Sequence, residues 1–178
     1  MNIFYLDNDP KACAQAHYDK HVVKMILEYA QLLSTAHRMI DGEEWTDRTA
    51  NGSKIKRWAL PDDREHTLYK ATHRNHPSAV WVRQSKSNYL WLYRLFKELI
   101  DEYRIRYGKE HKTSQLLSAL SNAPDNLHDD GLTEIPQAMP DDCKRDIPLL
   151  GYRNYYKTNK INLFAYTKRN APEWMGTL

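Results

Sequence analysis

The sequence predicts a mainly α, single-domain protein over 1–178, a helical bundle with long ordered loops and room for a short N-terminal strand. Three observations carry that reading. Two long segments place apolar residues at helical spacing, opened by capping residues and closed by glycine. Strand-like text is confined to the first few residues. A length of 178 residues suits one domain, which can bury roughly 70% of the surface its unfolded chain exposes.

Taken in order, residues 2–6 (NIFYL) can form a short strand, after which Asp9-Pro10 supplies an N-cap and a proline at the first helical position. A helix follows through KACAQAHYDKHVVKMILEYAQLLSTAHRMI, with a break near Tyr18-Asp19. It stops at Asp41-Gly42, where glycine tolerates the left-handed region. Residues 42–75 are polar and punctuated by Gly42, Gly52 and Pro61, which predicts a long excursion with one short helix at 53–59. His76-Pro77 opens a short helix (PSAVWVRQ), and Ser85 or Ser87 caps a long one, NYLWLYRLFKELIDEYRIRYG, closed by Gly108. Its Tyr89, Leu92, Tyr93, Phe96, Leu99, Ile100 and Tyr103 make one buried face. Thr113 or Ser114 caps a short helix to about 121, PDNLHDDGLTEIPQAMPDD is an ordered irregular loop, and a last helix covers 148–160. In the tail, 162–178, Trp174 is expected to dock on the body.

Mean hydropathy of -0.80 and the lack of any 18-residue apolar run argue against a membrane partner. The first ten residues have neither a basic n-region nor an apolar h-region, so a cytoplasmic location is expected. Cys13 and Cys143 stand far apart, which gives no thiolate zinc site or redox pair. A net charge of +3 permits an anionic partner without the strongly basic character of a dedicated nucleic-acid binder. Its distribution is uneven. Lys144, Arg145, Arg153, Lys157, Lys160, Lys168 and Arg169 face Asp146 alone and interleave with Tyr152, Tyr155, Tyr156, Phe164 and Tyr166, a mixture suited to phosphates and stacked bases. Twelve Tyr and five Trp against three Phe favour rings with a polar handle, as wet clefts use.

Between 22 and 33 nearly every residue is apolar, which predicts a helix buried all round. Its exceptions form a stripe. His17, His21, Lys24, Glu28, Gln31, Thr35 and Arg38 follow one another at spacings of four, three, four, three, four and three, one face of a helix. Desolvating an ionised Lys or Glu costs on the order of several kcal/mol unless something offsets it. One explanation is an i, i+4 ion pair between Lys24 and Glu28 on a wet seam, with structurally bonded histidines. The other is a cleft in which Lys24 is nucleophile or anion contact, Glu28 general base or charge stabiliser, and His21 proton shuttle. His17 and His21 have the spacing of two metal ligands, yet Lys24 one turn on repels a cation, so no metal is expected there.

Two further segments are candidate substrate-binding elements. His73, Arg74, Asn75 and His76 crowd in front of Pro77, and Arg104, Lys109, His111 and Lys112 make a cationic run at a helix end. Arg153 joins them as a phosphate contact. Each also has a plain structural reading, the first as a helix start and the second as ordinary C-terminal charge. If all face one cavity, its excess of donors suits DNA or a nucleotide. No GxxxxGK[ST] loop, GxGxxG turn, GxSxG elbow or DxD pair occurs, and no cofactor is expected.

The segments DKHVVKMILEYAQLL, THRNHPSAVW, EYRIRYGKEHK, IPQAMPDD, GYRNYY and APEW resemble a family of small bacteriophage-encoded proteins over almost the whole chain. The likeness brings no activity with it. The order of a long helix, an RNHP segment and a second long helix is also similar to pyrimidine-dimer DNA glycosylases. That resemblance implies an amine attacking the sugar C1′, an acidic residue stabilising the developing charge, and arginines holding kinked DNA. In such enzymes the amine can be the N-terminus. Asn2 is too large for efficient removal of Met1, so Lys24 beside Glu28 is expected in that role, as a lysine in an apolar pocket. The function expected is therefore a DNA glycosylase-like or base-modifying hydrolase. The alternatives are a metal-assisted nuclease or phosphodiesterase built on His17, His21, His73, His76 and His111, and a non-enzymatic module binding a nucleotide or a host factor.

Overall fold

The computed structural model describes residues 1–176, in which six α-helices and one two-stranded antiparallel sheet are joined by irregular chain. Helix α1 (Pro10–Gln15) begins as the sequence requires, with the Asp9 carboxylate accepting from the Ala12 N–H at 2.9 Å. The chain breaks at Tyr18, an extended residue whose ring is fully buried, and restarts as α2 (Asp19–Asp41). Helix α5 (Lys86–Tyr107) is capped by the Ser85 hydroxyl and closed by Gly108 in the left-handed conformation, φ 65°. Helices α2 and α5 pack against each other and α1 packs on α5. Their apolar faces share one core with Ile3, Phe4, Leu6, Tyr152 and Met175.

Four expectations are corrected. Residues 2–6 form no strand, because side chains rather than a neighbouring strand satisfy their backbone: Phe4 N–H donates to the Tyr29 hydroxyl at 3.1 Å and Leu6 N–H to Cys13 Sγ at 3.4 Å. The helix expected at 53–59 is instead a strand. β1 (Glu43–Arg48) pairs with β2 (Lys54–Ala59) around a turn at Gly52, φ 84°. KIKRWA is too short for its period to separate helix from strand by itself. Gly42 is extended, φ -88°, not left-handed. Glycine is needed there because a Cβ would strike the Arg38 carbonyl and come within 3.1 Å of the Ala59 carbonyl. The segment after Lys112 is a 3-10 turn, Lys112–Leu116, capped by the His111 ring rather than by a hydroxyl.

Between β2 and α5 lie the short helices α3 (Arg64–Thr67) and α4 (Pro77–Val82), and α6 (Pro148–Asn159) follows the long irregular loop. Trp174 packs on the body beneath Arg153, whose guanidinium stands 5.1 Å from the ring centroid; residues 177–178 of the tail lie outside the described residues. Among the described residues no helix is long and apolar enough to cross a membrane.

The far end of α2 fastens the hairpin and the segment behind it. Arg38, 3% exposed, donates to the carbonyls of Trp58, Glu65, Leu68 and Tyr69 and to the Glu65 carboxylate at 2.6 Å. One guanidinium thus ties carbonyls of β2, of α3 and of the chain that follows α3 to the end of α2. Replacing it by alanine leaves the Glu65 carboxylate and those carbonyls without their donor. Arg38→Ala should cost about 3–5 kcal/mol, read as a lowered urea midpoint. A loss under about 1 kcal/mol would show that the clamp is incidental.

Candidate functional site

Helix α2 is not buried all round. Val23 and Leu27 are 38% and 39% exposed, and with Lys24, Glu28 and Gln31 they form an open face. The polar stripe divides accordingly. At its two ends the side chains turn inward and are used by the fold. His17 is fully buried, its Nδ1–H donating to the Cys13 carbonyl at 2.7 Å while Nε2 accepts from the Tyr29 hydroxyl at 3.1 Å. His21 stacks on Phe4 at 4.4 Å and bonds the Tyr156 hydroxyl at 2.5 Å. Burial, and then the charges of Lys160 and Lys24, push its pKa down to about 4. The ring expected as a proton shuttle is thus held toward its neutral form between Phe4 and Tyr156.

In the middle of the stripe, Lys24 and Glu28 reach the open face. Lys24 Nζ stands 3.3 Å from Glu28 Oε1, and the amino group of Met1 stands 3.9 Å from Glu28 Oε2. The Glu28 side chain is 15% exposed and that of Lys24 65%, so the apolar pocket expected around this lysine is absent. Residue 1 is held from behind. The Asn2 amide donates to the Ala138 carbonyl at 2.7 Å, and the Asn2 carbonyl accepts from the Tyr152 hydroxyl at 3.1 Å. One carboxylate thus lies between two amines, one exposed to solvent and one held in place by the hydrogen bonds of Asn2.

The 72–76 segment is brought to this place by Thr35 of the same stripe. Its hydroxyl accepts from the Thr72 N–H at 3.1 Å and donates to the Thr72 carbonyl at 3.3 Å. His73 follows with φ 46°, a left-handed conformation that costs a residue with a Cβ on the order of 1 kcal/mol or more. Its Nδ1 bonds the Thr72 hydroxyl at 2.8 Å. Arg74 lies over the Trp58 ring, 5.2 Å from its centroid, and Asn75 is exposed. His76 caps α4 by accepting from the Ser78 N–H at Nδ1, 3.2 Å, which places the proton of a neutral ring on Nε2. Its pKa is lowered first by burial and then by the positive charges of the Met1 amine and His73, with Glu28 acting the opposite way. Those charges place His76 in the field of the amine–carboxylate group.

The remaining expected site residues lie elsewhere. The end of α5 sits on the first turn of α2, where Tyr107 donates to the Asp19 carbonyl at 3.1 Å. Glu28 is nine residues further along, about 14 Å at 1.5 Å per residue. There Arg104 is paired with Asp101 at 2.7 Å and Glu110 at 2.6 Å, while Lys109 and Lys112 project into solvent. His111 comes nearer, hydrogen-bonded to the backbone of Val23, but its Nδ1 is committed to the Thr113 N–H. Arg153 serves the fold by donating to the Leu6 carbonyl at 2.8 Å and pairing with Asp7 at 3.0 Å. The five histidines of the metal reading do not gather. Among the described residues no group of three or more His, Cys, Asp or Glu side chains is placed to hold a metal ion.

Sequence reasoning passed over the Met1 amine as a partner of Glu28, the Asn2 and Tyr152 side chains behind it, and Trp58 beneath Arg74. No local pattern marks any of them, since each depends on a contact more than ten residues away. Comparison with protein families, curated proteins and solved structures found no match for this chain.

Proposed function

We propose that the protein is an amine-dependent DNA glycosylase or lyase whose reacting centre is Glu28 with its two flanking amines, and the placement of that carboxylate carries the reading. An uncharged amine beside Glu28, from Lys24 or Met1, attacks the deoxyribose C1′ with its lone pair. The N-glycosidic pair leaves with the base, which takes up a proton, and Glu28 accepts the proton that the amine sheds. Transfer of a proton to the ring oxygen opens the sugar and leaves an iminium between C1′ and the amine. The His76 ring, with its proton on Nε2, offers a donor to the departing base or to the ring oxygen as the sugar opens. Pyrimidine-dimer duplex is the first substrate to test, because the sequence order of a long helix, an RNHP segment and a second long helix resembles that of enzymes acting on it.

The test is borohydride trapping on undamaged, dimer-containing and abasic duplexes, with the adduct located by peptide mapping. Borohydride reduces the iminium to a secondary amine, so a covalent adduct is expected on dimer-containing or abasic DNA. An adduct lost in Lys24→Ala assigns that side chain; one retained and mapped to residue 1 assigns the Met1 amine. Absence of any adduct on all three DNAs overturns the reading and leaves a nucleic-acid-binding module without turnover.

A further inference from the structure

The hairpin carries a second feature that the Glu28 centre does not use. Residues opposite one another in an antiparallel pair share a face. The register sets Arg48 across from Lys54, Thr46 across from Lys56 and Glu44 across from Trp58. One face of the hairpin therefore holds three cations and one carboxylate. The other holds Glu43, Trp45, Asp47, Ile55, Arg57 and Ala59, one cation against two carboxylates. Between the basic face and residues 71–74 runs a groove of about 590 Å³, lined by Lys54, Lys56, His73 and Arg74 and, among the described residues, by no acidic side chain.

From this geometry we infer that the groove binds the phosphodiester backbone of a nucleic-acid strand and leads it to the Glu28 centre. The inference rests on the proposed function in taking a nucleic acid as partner and Glu28 as the place the strand is led to. Both walls are fixed in advance. Arg38 holds the Trp58 carbonyl on one side, and Thr35 holds Thr72 on the other, so little ordering is left for binding to impose. Lys54 is exposed, and among the described residues Lys56 is paired with Glu44 alone, at 2.7 Å, with both side chains about half exposed. An exposed pair of that kind is worth little and gives way to phosphate. Arg74, over the Trp58 ring, offers a guanidinium that can stack on a base or donate to phosphate. At one end the left-handed His73 lines the groove, and His76, three residues on, lies within the field of Glu28.

The test uses an undamaged fluorescent single-stranded oligonucleotide, for which no chemistry is needed, and follows anisotropy against salt concentration. Lys54→Glu/Lys56→Glu should weaken binding at least 10-fold and lower the slope of log K against log salt by about 1.4, since each lost phosphate contact removes about 0.7. Arg94→Glu/Lys97→Glu makes the same change in net charge on the exposed side of α5 and should move affinity less than 3-fold. Circular dichroism and melting temperature verify that each double variant is folded. Equal affinity and slope for the hairpin variant and wild type would overturn the groove. So would equal losses in the two variants, or no binding by wild type. Borohydride trapping separates the two readings: an adduct without groove-dependent binding leaves the proposed chemistry intact, and groove-dependent binding without an adduct leaves the groove.

Discussion

Glu28→Gln should lower the rate of adduct formation by about 10²–10⁴, the range expected when a positioned general base is removed, while leaving the fold in place. The amide has the shape of the carboxylate and keeps one acceptor oxygen, which can face Lys24 or Met1 but not both. It cannot take a proton from the attacking amine or balance positive charge at C1′. The size of the effect separates this role from the ion-pair explanation of the same residues. A solvent-facing pair such as Lys24–Glu28 contributes roughly 0–1 kcal/mol to stability, so a structural role would show as a small shift in melting temperature and no defect in trapping. Oligonucleotide affinity in the groove should stay within a few-fold of wild type, because Glu28 is not among the residues lining it. Trapping by Glu28→Gln within 10-fold of wild type would remove Glu28 from the chemistry.

The second large effect concerns acid. Burial holds three histidine rings neutral: His17 down to about 3, His21 to about 4 and His37 to about 4. Their hydrogen bonds agree. His17 Nε2 accepts from Tyr29, and His37 Nδ1 accepts from the Arg64 guanidinium at 3.0 Å while Nε2–H donates to Tyr89 at 2.8 Å. A proton added at His37 Nδ1 would point at a guanidinium already pointing at it.

In the unfolded chain all three rings take up protons near pH 6.5, but the folded protein takes them up only near pH 4 and below. The unfolded state therefore binds more protons throughout that window, and stability is full above about pH 6.5 and is lost as pH falls. Three such rings remove about 4 kcal/mol per pH unit near pH 5, at about 1.4 kcal/mol for each. Urea midpoints measured from pH 7 to 4.5 should fall steeply, and His37→Gln should reduce the slope by about one third. A flat stability profile across that range would contradict neutral burial of these rings. Asp62, held down to about 2 by hydrogen bonds from Arg64, adds its own loss only below about pH 4.

The helices were legible because their determinants are local. Asp9-Pro10, Ser85 and Gly108 act within one turn of where they stand, and the apolar spacing of 89–103 names its buried face without knowledge of what covers it. Where the determinant was distant, the reading slipped. Residues 2–6 look like a strand, but their N–H groups are satisfied by Tyr29 and Cys13. Gly42 looks like a left-handed stop, but its missing Cβ makes room for the carbonyls of Arg38 and Ala59.

The candidate site divides in the same way. Of the seven polar residues in the expected stripe, the six from His21 to Arg38 share one face of α2, with Lys24 and Glu28 one turn apart, as helical periodicity alone determines; His17 stands before the break at Tyr18. Only the tertiary structure decided which of the seven face solvent. Tyr29, Tyr156 and the 58–69 backbone draw His17, His21 and Arg38 inward, and the open face between them leaves Lys24 and Glu28 free. Tertiary contacts also set the Met1 amine beside Glu28 and hang the 72–76 segment from Thr35. Direction along a helix face is a property of the local chain; what meets that face is a property of everything folded against it.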